Sequence, residues 1–197
     1  MKNFLELAQT PAIHALQEQK GSLGLYDISP TGQDGIDEHE AEFIRSADSF
    51  YMATVNEDGW PYVQHKGGAP GFVTMLDDST LAWVERAGNR QYLGAGNVAA
   101  NGRVALIFVD YARRMRLKVL GTARHLADLP DDRVAELNPE GLRADGAFVV
   151  DIEATAWNCP KHITPRVRVD QVEELVGGLQ QRIAELEAQL AEATSDA

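Results

Sequence analysis

Four short stretches gather side chains able to hold or transform a small molecule. In Arg114-Met115-Arg116-Leu117-Lys118-Val119 the cations alternate with apolar residues. The period of two in a strand puts Arg114, Arg116 and Lys118 on one face, roughly 6–7 Å apart. Like charges so close repel unless acids or a bound anion compensate, which suits a ligand carrying phosphate. The alternative is a solvated outer face that discourages edge pairing. Gly88-Asn89-Arg90-Gln91-Tyr92 follows a strand and opens a helix. Backbone N–H groups at a helix start favour an anion, and Arg90 adds a charged fork. Asn89 as a plain N-cap is the alternative.

Val63-Gln64-His65-Lys66-Gly67-Gly68-Ala69-Pro70-Gly71 links two strands. Its glycines allow a flat ligand close to the backbone. Gln64 and His65 offer donors and acceptors, and Lys66 a point charge; a surface role for His65 is the bland reading. Trp157-Asn158-Cys159-Pro160-Lys161-His162 sets a thiol and an imidazole three residues apart. No second cysteine or nearby carboxylate completes a metal set, so no metal is expected. Trp157 reads instead as an aromatic wall for a ring ligand.

These stretches need elements to hold them. Asn3–Gln19 has helical spacing, interrupted by Pro11, which can begin a second turn. Lys20–Gly35 is rich in Gly, Ser, Asp and Pro and reads as a long loop. Asp37–Ala47 is a short helix with Phe43 and Ile44 inward. Strands follow at Ser49–Val55, Trp60–Lys66, Gly71–Leu76 and Thr80–Glu85, with turns at Asn56–Gly59 and Asp77–Ser79. A helix at Asn89–Ala100 precedes the strands Arg103–Asp110 and Met115–Leu126. A short helix at Asp131–Leu137 and a strand at Ala147–Ala156 complete the pattern. Short antiparallel strands with small helices indicate a β-barrel or sandwich, not a doubly wound parallel sheet. In the tail, Val172, Val176, Leu179, Ile183, Leu186 and Leu190 are spaced 4, 3, 4, 3, 4. That is a heptad seam, open to an ordinary amphipathic helix, docking on its own domain or pairing within a dimer. The expected division is 1–48 (helical segment and loop), 49–168 (barrel) and 169–197 (amphipathic helix and tail).

The 197 residues carry 18 Lys and Arg against 30 Asp and Glu, a net charge of −12. Such a surface repels nucleic acid and anionic lipid. From Trp60 to His125, however, nine basic residues face four acids, so this stretch is +5 and the remainder −17. The contrast fits a local anion site, or cations that balance acidic flanks as surface ion pairs. No apolar run approaches the roughly 20 residues of a membrane helix, and Met1–Lys20 lacks the apolar core of a signal peptide. A single cysteine excludes an internal disulfide framework. A cytoplasmic protein without nucleic-acid or membrane partners is the expectation.

Together the segments resemble the pyridoxamine 5′-phosphate oxidase-like, FMN-binding split-barrel superfamily, most of all its flavin-nucleotide-binding branch. The resemblance runs from about Ser49 to Arg124, with an echo at Trp157–Pro165. It is carried by Phe50–Val55, Asp58–Pro61, Gln64–Gly68, Gly88–Tyr92, Asn97–Val109 and Arg116–Gly121. It implies a mainly β (α+β) fold, a six-stranded antiparallel Greek-key split barrel with short helices and a C-terminal amphipathic helix. It also implies a homodimer with FMN at the subunit interface and an oxidoreductase activity on a small molecule or a nicotinamide reductant. Carried over by residue, Lys66 and Arg90 would hold the phosphate with Asn89 and Gln91 beside them. Gln64, His65 and Gly67 would approach the flavin ring, and Val84 and Glu85 would lie along the ring or ribityl chain. Arg114, Arg116 and Trp157 would come from the partner. The vitamin-pathway enzyme follows its tryptophan with Arg-Leu-x-Pro; here Asn158-Cys159-Pro160 follows Trp157, which argues against pyridoxamine phosphate as substrate. Related barrels also handle haem or deazaflavin, so the competing expectation is a flavin or haem carrier or sensor without turnover.

Overall fold

The computed structural model describes residues 1–25, 29, 34–127, 137, 141 and 143–195. Its β-rich runs form β1 (Ser49–Val55), β2 (Pro61–Gly67), β3 (Thr74–Met75), β4 (Thr80–Arg86), β5 (Arg103–Asp110), β6 (Met115–Leu126) and β7 (Ala144–Trp157). They pair antiparallel in one seven-stranded sheet of order β2-β1-β5-β6-β7-β4-β3. All seven strands read from the pattern are present, one more than the six that the resemblance implies, and β3 has only two residues. β3 is shorter than the expected Gly71–Leu76 because Gly71 takes a φ of +89° and the Phe72 N–H turns back to the Ala69 carbonyl. That turn delays pairing until Thr74.

Alternating burial makes the sheet curl. Phe50, Met52 and Thr54 of β1 point inward while Tyr51 points out. Phe50 meets Trp83 of β4 edge to face at 5.0 Å, although β5, β6 and β7 lie between their strands in the sheet. Phe108 and Phe148 close the same aromatic cluster, at 4.9 Å from Phe50 and 5.4 Å from Trp83. Each such ring contributes about 1.5–3 kcal/mol by leaving water. Among the described residues no backbone pairing joins β2 to β3, so the curled sheet stays split along that seam. The fold is therefore mainly β, an antiparallel split barrel with helices.

Helices α1 (Phe4–Ala8) and α2 (Pro11–Gln19) divide where Pro11 predicts, with Thr10 as the cap of the second. Helix α3 (Glu38–Ser46) opens with a reciprocal capping box between Asp37 and Glu40 and buries Phe43 and Ile44. Helix α4 (Leu93–Asn101) begins four residues later than the periodicity predicts. Arg90 and Tyr92 hold φ of 61° and 50°, left-handed values that no helix continues through. A second apolar cluster, Ala82, Ala147 and Val149 with Leu137, lies against Val84 and Leu126. The expected helix at Asp131–Leu137 otherwise lies outside the described residues, as do 26–28 and 30–33 of the expected loop.

By contacts the chain forms two compact units, Met1–Asp110 with Met115–Pro160, and Tyr111–Arg114 with Lys161–Ala197. In the second, the Arg166 guanidinium lies 4.8 Å above the Tyr111 ring. It ends in the 27-residue helix α5 (Val169–Ser195). Among the described residues no helix is long and apolar enough to cross a membrane.

Candidate functional site

At one end of the barrel the inward side chains turn from apolar to charged. On β2 the period of two directs Tyr62, Gln64 and Lys66 to one side and leaves Val63 and His65 exposed on the other. On β4 the inward series Leu81, Trp83 ends in Glu85, which is buried. Together with Arg86, residues Gly88–Gly94 and Asp145, these side chains line an open cleft of about 80 Å³.

The floor of the cleft is a buried cluster of ionisable side chains. Lys66 Nζ lies 3.6 Å from Glu85 Oε1, and His125 Nε2 lies 2.8 Å from Glu85 Oε2 without hydrogen-bond alignment. Phe148 packs against both, 4.8 Å from Lys66 Nζ and 4.9 Å from the His125 imidazole. Burial pushes the Lys66 ammonium below its ordinary range, and the Glu85 charge opposes that shift. His125 reaches this position because β6 points it the same way as the buried Leu117, Val119 and Ala123. Room for the ring comes from Gly146: a Cβ there would meet His125 Cε1 and Nε2 at 2.8 Å.

The mouth of the cleft is built for an anion. The N-terminus of α4 opens onto it through Leu93 and Gly94, with no side chain capping the first N–H groups. Such an end carries roughly half a positive charge. Asn89 Oδ1 accepts the Gln91 N–H at 3.1 Å, which folds the preceding loop as an Asx turn. Arg90 stands exposed on that loop. The Tyr92 phenol beside it, with Asp145 behind, holds its guanidinium above the ordinary range. Tyr92 in turn donates to Asp145 at 3.2 Å. Helix α4 is tied to the barrel by Asn97 Nδ2, which donates to the buried Thr54 Oγ1 at 2.9 Å. Gly94 allows the helix to approach β2: a Cβ at this residue would meet Gln64 Oε1 at 3.0 Å. That amide oxygen is buried with no donor facing it.

The structure thus brings together Gln64, Lys66, Glu85, Asn89, Arg90 and Gln91 of the predicted site. It places the others elsewhere in this chain. His65 packs against Tyr51 at 5.4 Å on the far face of β2, and Gly67 ends that strand beside the His65 ring. Val84 faces the second apolar cluster, opposite Glu85. Arg116 donates through Nη2 to the Cys159 carbonyl at 3.2 Å, and its Nε is buried without a partner. Lys118, on the same face, lies 4.2 Å over the Phe4 ring; burial first, and then the Arg116 charge, hold it below the usual lysine range. Trp157 stacks on His39 at 4.7 Å and meets Phe43 edge-on. Arg114, at a positive φ of 58°, belongs to the second unit. Arg86 and Asp145 line the cleft without having been read from the sequence, and that reading did not pair His125 with Glu85. Period two along β6 could have aligned His125 with the buried positions, but its partner Glu85 is 40 residues away.

Comparison with known proteins agrees with this architecture. The profile of the pyridoxamine 5′-phosphate oxidase family matches residues 36–157. A crystal structure of a putative pyridoxamine 5′-phosphate oxidase from Lactobacillus delbrueckii is 25% identical, covers 64% of this chain and 97% of its own, and superposes with a TM-score of 0.51. HupZ of Group A Streptococcus is 19% identical over 67% of this chain and 99% of its own, with a TM-score of 0.52, a likeness of fold. No curated protein matches the chain. The profile spans the whole barrel from the approach to α3 through Trp157, and on that ground the chain belongs to the pyridoxamine 5′-phosphate oxidase family.

Proposed function

We propose that the chain binds FMN at the cleft and acts as an FMN-dependent oxidoreductase. The observation that carries the reading is the lining of the cleft, which brings Lys66, Arg86 and Arg90 together with the uncapped start of α4. A dianionic phosphate is the ligand that such a set of donors suits best. Bound flavin would supply two-electron redox chemistry. The residues of this chain would supply the binding: Lys66, Arg90 and the α4 N–H groups hold the phosphate, with Asn89 and Gln91 beside them.

A cleft of about 80 Å³ accommodates the phosphate end but not a tricyclic ring, because small-molecule sites run to roughly 300–1,000 Å³. In this reading a second copy supplies the remaining wall, with Arg114, Arg116 and Trp157 as its contributions. A cytoplasmic location follows the same reading.

The test is an absorption spectrum of the purified chain after incubation with excess FMN and desalting, followed by anaerobic NADPH. Retained flavin absorbance that bleaches on reduction is expected. Retained flavin that no nicotinamide reduces points to a carrier. A colourless protein removes the proposal.

A further inference from the structure

We propose that α5 is one strand of a parallel, in-register two-stranded coiled coil formed with a second copy of this chain. The helix is 27 residues long, about 40 Å. All of its residues with described side chains are exposed. Among them Val172 is 42% exposed, Leu179 56%, Ile183 55% and Leu186 47%, so a continuous apolar stripe faces water along the whole helix. A stripe of that length needs cover.

The seam itself identifies the cover. Val169, Val176, Ile183 and Leu190 fall at position a of a heptad, and Val172, Leu179, Leu186 and Ala193 at position d. β-Branched residues at a with leucine at d favour two parallel strands. Gly177 and Gly178 fall at b and c, outside the seam, and a Cβ on either would touch nothing. They lower helix propensity without interrupting the contact.

Flanking charges set the orientation. Within the helix, position g holds Arg182 and position e holds Glu173 and Glu187, and Arg168 stands one residue before its start. In a parallel pair each g residue meets the e residue five places on in the other copy. Arg182 then faces Glu187. An antiparallel pair would set arginine against arginine and glutamate against glutamate. Within one chain these arginines pair with Glu185 at 2.9 Å and Asp170 at 2.7 Å. Those pairs are solvent-exposed and worth little, so they give way readily. Asp170, Glu173, Glu174, Glu185 and Glu187 outweigh Arg182 on the helix, which disfavours an anionic membrane as occupant. The inference rests on the tail alone and is independent of the ligand at the barrel.

The experiment uses the full chain carrying Cys159→Ser, so that only an introduced thiol reacts. Leu186→Cys puts a thiol at d, and Gln181→Cys puts one at f on the outside. Under mild oxidation L186C is expected to form a disulfide-linked dimer, and Q181C to remain single chains. In the L186C background, Glu187→Arg lowers the crosslinked fraction and adding Arg182→Glu restores it. Equal crosslinking of L186C and Q181C, or none at L186C, overturns the proposal. So does crosslinking between V172C and L190C chains in a mixture, which only an antiparallel pair permits. Because the readout is a contact at position 186, dimerisation through the barrel alone does not imitate it.

Discussion

Replacing Glu85 with glutamine tests the charge arithmetic at the floor of the cleft. The side chains of Lys66 and Glu85 are only 11% and 10% exposed, and their charges are 3.6 Å apart. At an effective dielectric near 20, that separation corresponds to about 4–5 kcal/mol of attraction. Glutamine keeps the shape and removes the charge, leaving a buried ammonium without compensation. The expected cost is about 3–5 kcal/mol at pH 7. Burial already lowers Lys66 from its ordinary 10.5, and Glu85 is what opposes that shift. In the variant the folded-state value falls further while the unfolded value stays. The unfolded chain then holds more protons in the interval below the ordinary lysine value, so stability rises with pH there. The deficit therefore shrinks between pH 7 and pH 10. Urea unfolding of both proteins at the two pH values measures it. Adding Lys66→Met to the variant should recover much of the loss, since no unpaired ammonium remains. A deficit below about 1 kcal/mol at pH 7, or one that stays constant to pH 10, refutes the cluster as a paired, buried set of charges.

Other perturbations have equally definite outcomes. Gly146→Ala forces a side chain into a φ of +142° and against the Leu126 carbonyl and the His125 ring; a loss of about 2–4 kcal/mol is expected in thermal unfolding. Thr54→Val removes the acceptor of Asn97 and loosens α4, at a cost of about 1–2 kcal/mol by urea titration. Arg90→Ala touches no packing, since the residue is exposed; it should leave the melting temperature unchanged while weakening FMN roughly 10- to 100-fold by fluorescence titration.

Much of this architecture is legible from local pattern. Alternation marks β6, β-rich composition marks β1, and the apolar run of Arg103–Asp110 marks the interior strand β5. Pro11 and the Asp37/Glu40 capping box mark helix starts through short-range chemistry that any reader of the sequence can apply. What escapes is whatever depends on two distant segments meeting. Helix α4 starts late because of backbone values at Arg90 and Tyr92 that side-chain type does not announce. Period two separates His65 from Lys66, and Val84 from Glu85, so runs of adjacent candidates divide between faces once the strands form. The Lys66–Glu85–His125 cluster is assembled from β2, β4 and β6, and no spacing rule connects them.

The most direct measurement compares FMN with riboflavin, which has the same ring without the phosphate. Calorimetric titration of the full chain with each should show saturable FMN binding, much weaker riboflavin binding, and displacement of FMN by inorganic phosphate. Equal affinity for both, or no binding of either, contradicts a site organised around the cations at the start of α4.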